Sequence, residues 1–123
     1  MDDLVRWLTA CLDEDKRIAR AASAAPWTAK GVGDFGWAVH FSRPDGGLET
    51  EDSEQGLADT VFIAEWDPAR VLREIESKRT ILRELPVKDW HEPCASLVRV
   101  VLKQLALPYA DRPGYAEATA SVE

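Results

Sequence analysis

The hydrophobic period of this chain changes at Pro26, and that change limits the folds open to it more than any other feature. Before the proline, Leu4, Leu8, Cys11/Leu12, Asp15, Ile18/Ala19 and Ala22 recur at steps of three and four. Such a spacing puts one apolar stripe along a helix, here expected over 2–24, with Asp2 or Asp3 able to cap its start. After the proline, Phe35, Trp37, Val39 and Phe41 alternate with Gly36, Ala38, His40 and Ser42, the repeat of a strand with one buried face. Arg43-Pro44-Asp45-Gly46-Gly47 supplies a turn, with a glycine expected to take the positive φ. Leu48-Glu49-Thr50 reads as the returning strand and Trp27-Thr28-Ala29 as the preceding one. Two or three such short strands must pack on helices to be stable.

From residue 53 the period is helical again. Ser53 can cap a short helix carrying Leu57, Val61 and Phe62. Asp67-Pro68 then opens a helix through Val71, Leu72, Ile75, Leu82 and Leu85, since aspartate caps well and proline suits the first helical position. Pro93 opens another, with Cys94, Leu97, Val98, Val101, Leu102, Leu105 and Ala106 as a broad apolar face. The fold class expected is α+β: an N-terminal helix, a small antiparallel β-meander, three helices and an ordered aromatic C-terminal strap. The strap, Leu-Pro-Tyr-Ala-Asp-Arg-Pro-Gly-Tyr at 107–115, is expected to lie across the core with Tyr109 and Tyr115 as anchors. Residues 1–115 are expected to form one domain, with 116–123 as a frayed tail.

Composition narrows the function by exclusion. Fifteen basic against 22 acidic residues give a net charge of −7, which argues against a general phosphate-backbone binder. No apolar run approaches the ~20 residues of a membrane span, and Met-Asp-Asp-Leu lacks the basic start of a signal peptide. A cytoplasmic place fits, with Cys11 and Cys94 read as two buried structural thiols.

The catalytic inventory is thin. His40 falls on the polar side of its strand and reads as a solvated residue. His91 and Cys94 make an H-x2-C, half of a metal site, with no further ligand at zinc spacing. No G-x-S-x-G, P-loop or dinucleotide glycine fingerprint occurs, and Gly31-Val32-Gly33 reads as a loop before a strand. Arg70, Arg73, Lys78, Arg79 and Arg83 are interleaved with Glu74, Glu76 and Glu84, as on a salt-bridged face. No catalytic residue, metal ligand set or cofactor is therefore assigned.

Two stretches, Asp67-Pro-Ala-Arg-Val-Leu-Arg-Glu-Ile-Glu-Ser-Lys-Arg79 and Leu105-Ala-Leu-Pro-Tyr-Ala-Asp-Arg-Pro-Gly-Tyr115, resemble a family of short uncharacterised actinobacterial and actinophage proteins. The opening Met-Asp-Asp-Leu-Val-Arg-Trp-Leu, Leu-Asp-Glu-Asp at 12–15 and Ala-Ala-Pro-Trp at 24–27 fit it too. The resemblance implies a lineage, with no activity attached. It also implies that many members carry His in place of Trp66 and of Arg112, and a C-x2-C ahead of a Trp-Pro-Cys matching Glu92-Pro93-Cys94. Of that zinc-binding set this chain keeps Cys94 alone. Trp66, one residue before the Asp67 cap, is then expected to act as a hydrophobic staple against Val71, with an interface anchor as the competing reading.

The function these observations favour is a small non-enzymatic accessory protein, related to phage or prophage, that acts by protein–protein interaction or self-association. Trp66, Arg70, Arg73, Tyr109, Asp111, Arg112 and Tyr115 are the candidate interaction residues. The alternatives are an enzyme with an unfamiliar site near His91 and Cys94, and an acidic regulator related to nucleic acid.

Overall fold

The computed structural model describes residues 1–85, 87 and 94–122. The elements run α1 (Asp2–Ala21), β1 (Thr28–Val32), β2 (Trp37–His40), β3 (Gly47–Glu49), α2 (Glu54–Glu65), α3 (Pro68–Glu84), α4 (Cys94–Ala106), a 3-10 turn (Leu107–Tyr109) and α5 (Tyr115–Ala120). The class is α+β. The chain forms two compact units, Met1–Asp15 with Ile75–Glu123, and Lys16–Glu74.

The first unit is helical. Leu4, Leu8, Cys11 and Leu12 are its buried stripe from α1, at the spacing the sequence predicts. Ile75 of α3 is buried, as are Ala95, Val98, Leu102 and Ala106, which follow one another along a single face of α4. That face is narrower than expected: Leu97 is 65% exposed, and Cys94 is exposed where a packed thiol was predicted. A helix has only one stripe for its core, and Ala95 and Val98 take the places next to both residues. His91 and Pro93 lie outside the described residues.

The tail differs from expectation. Tyr115–Ala120 forms α5, so residues 116–120 are helical where a frayed tail was expected over 116–123, and Ala118 and Val122 are buried. Gly114, at φ 88°, turns the chain into this helix, and the small side chains of α5 allow it close to α4. The Thr119 and Ser121 hydroxyls donate to the carbonyls of Tyr115 and Ala118, which ties the last turn internally.

The second unit is built on a three-stranded antiparallel sheet of order β1-β2-β3. Ala29 pairs with Val39, and Val39 with Leu48, while an irregularity interrupts β1 between Ala29 and Val32. Gly31 sits there at φ 71°, so this stretch belongs to a strand with a bulge and not to the loop expected. The β2 alternation is also broken, because Ala38 and Val39 are both buried and Phe35 is 87% exposed. Phe35 stands in the β1–β2 turn, closed by the Gly33 N–H donating to the Gly36 carbonyl. In the β2–β3 turn the positive φ falls on Asp45, at 57°, and not on a glycine. Aspartate tolerates that conformation better than most residues.

Helix α2 packs on β2 and β1. Its inner face is small and polar: Gly56 approaches the Glu51 carbonyl so closely that a Cβ would stand 1.8 Å from it. Thr60, 1% exposed, shares a hydrogen bond of 2.7 Å with the Thr50 hydroxyl. Ser53 caps α2 by accepting from the Gly56 N–H at 2.9 Å, as its residue type predicts.

Candidate functional site

The aromatic strap meets α1 around Asp15, the one polar residue in an otherwise apolar stripe. The Tyr109 hydroxyl donates to Asp15 Oδ2 at 2.9 Å, and the Arg112 guanidinium forms an ion pair with Asp15 Oδ1. Arg112 Nη1 also donates to the Cys11 carbonyl at 3.1 Å, and the guanidinium stacks 4.6 Å from the centre of the Tyr109 ring. Trp7 closes the cluster. Its Nε1 donates to the Pro113 carbonyl at 2.9 Å, and its ring lies 6.3 Å from Tyr109 and 5.8 Å from Tyr115.

The electrostatics are those of a tie, not of an acid–base pair. Burial first, and then the hydrogen bond to Asp15, hold the Tyr109 hydroxyl well above the ordinary tyrosine range. The bond to Asp15 likewise raises Arg112, and burial raises the Cys11 thiol. Each shift strengthens the proton-bound form, so at neutral pH the cluster is a neutral phenol, a neutral thiol and one salt bridge. Tyr109 is buried, Arg112 and Tyr115 are half-buried, and Asp111 is exposed. Three of the four candidate residues from the strap are thus engaged with the chain's own first helix.

The other candidates lie in the second unit. Asp67 caps α3, accepting from the Arg70 N–H on Oδ1 at 3.0 Å, and its Oδ2 accepts from the Trp27 N–H at 3.2 Å. Trp66 ends α2, where its N–H reaches the carbonyls of Phe62 and Ile63. Its ring lies 6.1 Å from Phe62, and the Arg70 guanidinium stacks on it at 3.9 Å. The ring remains 40% exposed. Arg70 also faces the carboxylates of Glu65 at 3.8 Å and Glu74 at 3.6 Å, while Arg73 is exposed. Trp66 therefore has Phe62 and Arg70 as ring partners.

The structure adds three residues outside the interaction set expected from the sequence, Leu57, Val61 and Phe62. The apolar residues of helix α2 are not confined to one stripe, and the side that meets the sheet is the one carrying Gly56 and Thr60. On the other side Leu57 is 40%, Val61 45% and Phe62 65% exposed, continuous with the Trp66–Arg70 stack. Leu57, Val61 and Phe62 were legible as helix-forming apolar residues. Their spread beyond a single stripe was the sign that some of them would face outward.

Among the described residues no group of three His, Cys, Asp or Glu side chains could hold a metal ion, and no helix is long and apolar enough to cross a membrane.

The chain belongs to DUF6221, a family of unknown function. The match covers residues 1–119, so it takes in both the strap and the exposed helix. No curated protein and no solved structure matches the chain. Membership thus carries no activity with it.

Proposed function

We propose that this chain is a small accessory protein that acts by binding another protein and not by catalysis, with the outer face of α2 as its docking surface. The observation that carries this reading is the exposure of Leu57, Val61, Phe62 and Trp66 on one side of a helix whose other side already has its sheet. Together they present roughly 400 Å2 of apolar surface, a size at which exposed patches on single chains are commonly functional. Of the interaction set, Trp66 and the Arg70 stacked on it adjoin this region through Phe62. Tyr109 and Arg112, bonded to Asp15, and Tyr115, against Trp7, are engaged within their own unit. The resemblance to actinobacterial and phage proteins supports an accessory role in the cytoplasm, of the kind a prophage-borne modulator would have.

Site-specific photo-crosslinking tests the reading. A photoreactive phenylalanine analogue replaces Phe62 in one variant and the exposed Lys30 in another, and both are irradiated in cells that make the protein naturally. A discrete crosslinked protein is expected from position 62 and not from position 30. The same diffuse pattern from both positions would remove α2 as the docking surface.

A further inference from the structure

Resting on that reading, we infer that the occupant of the α2 face is a basic amphipathic helix of a partner protein. Glu54, Ala58, Val61, Phe62 and Glu65 follow at i, i+4, i+7, i+8 and i+11, and all five are exposed. The outward face therefore has an apolar middle and a carboxylate near each end. Asp59, exposed and bonded to Gln55, adds a third acid along the same helix. The basic residues nearby do not offset these equally. Arg70 is stacked on Trp66 and lies between Glu65 and Glu74.

This pattern selects among occupants. A second copy laid antiparallel across the face would bring Glu54 of one chain against Glu65 of the other, twice by symmetry, and like charges across an interface act against association. An anionic membrane surface or a nucleic acid meets the same repulsion. An added β-strand finds no open edge, because the backbone of α2 is satisfied within the helix. A helix with Leu, Phe or Met on one side and Lys or Arg on its flanks satisfies every element. Its ridges pack beside Ala58, Val61 and Phe62, and its cations reach Glu54, Asp59 and Glu65. The net charge of −7 would speed its approach.

The probe is a designed Leu/Lys amphipathic peptide of about 16 residues, enough to cover the turns of α2. A Leu/Glu peptide with the same apolar face serves as the comparison, and amide chemical shifts of the labelled full chain are read. The Leu/Lys peptide is expected to move resonances of α2 and Trp66, and to bind about tenfold more tightly than Leu/Glu, less so at high salt. Glu54→Lys with Glu65→Lys should reverse the preference, and Phe62→Glu should abolish both interactions. Equal binding of the two peptides, shifts centred elsewhere, or no shifts at all would overturn the inference. Light scattering separates it from the broader reading. A species of twice the 13.7 kDa chain mass, lost in Phe62→Glu, would keep α2 as a docking face and overturn the basic-helix partner.

Discussion

Replacing Asp15 by Asn removes a charge and keeps the shape, so it isolates what the strap gains from the carboxylate. Asp15 accepts the Tyr109 hydroxyl and the Arg112 guanidinium, and its side chain is 24% exposed against 33% for Arg112. A hydrogen bond to a charged group contributes about 1.5–3 kcal/mol, more than a neutral one. Both side chains of the Arg112 pair are partly open to water, at 33% and 24%, so its share belongs nearer the ~1 kcal/mol upper range of exposed pairs. Asparagine keeps an acceptor for the phenol but presents an amide to the guanidinium on one side. The expected loss is about 2 kcal/mol, and Asp15→Ala should lose about 3 kcal/mol because both donors are then left without a partner. Urea unfolding at neutral pH measures both, the first corresponding to a fall in Tm of very roughly 8 °C for a chain of this size. The pair Asp15→Asn and Tyr109→Phe, measured singly and together, should show coupling of at least ~0.5 kcal/mol. Additive effects, or a loss below ~0.5 kcal/mol for Asp15→Asn, would refute the tie.

Three further outcomes are expected. Because the folded state holds Tyr109 protonated above its ordinary value of 10.0, its contribution is complete below that pH and declines as pH rises toward the folded value; stability followed through pH 9–11 should fall less steeply in Tyr109→Phe. Gly114→Ala forces an L residue to φ 88° and sets a Cβ 2.8 Å from Trp7 Nε1, so a loss of about 2 kcal/mol or more is expected in denaturant titration. Cys94 is exposed and Cys11 buried with its thiol raised, so a thiol reagent should label Cys94 in the native chain and Cys11 only on unfolding, read by intact mass.

Local signals of helix and turn were legible in the residues because each rests on chemistry close in sequence. Ser53 and Asp67 both cap as their type predicts, and the stripe from Leu4 to Leu12 is buried. What was not legible depends on partners far along the chain. Asp15 stood out in its stripe, but its reason is Arg112, which lies 97 residues away in sequence. The β2 alternation broke at Ala38 because a small residue can be covered on the face nominally open to solvent, and Phe35 was released by the turn beside it. Cys94 and Leu97 share periodicity with the true core of α4, and periodicity alone does not say where a stripe ends. Residues 116–120 are rich in Ala, a strong helix former, but so short a stretch is marginal alone and forms a helix where Gly114 turns the chain and α4 is near. Of the outer face of α2, the apolar residues were visible one by one; their exposure follows only once the sheet has taken the other side of the helix.

The two oxygens of Asp67 have different tasks: Oδ1 holds the Arg70 N–H at the start of α3, and Oδ2 holds the Trp27 N–H just ahead of β1. Serine, usually a fair exchange at a helix start, has one oxygen for these two amides. The position therefore sets a junction, fixing where the helix begins and where the chain enters the sheet with the same side chain. Variation among related chains at this point should track the count of acceptors, so that residues with a single oxygen appear there only alongside some other acceptor for the amide that precedes the first strand.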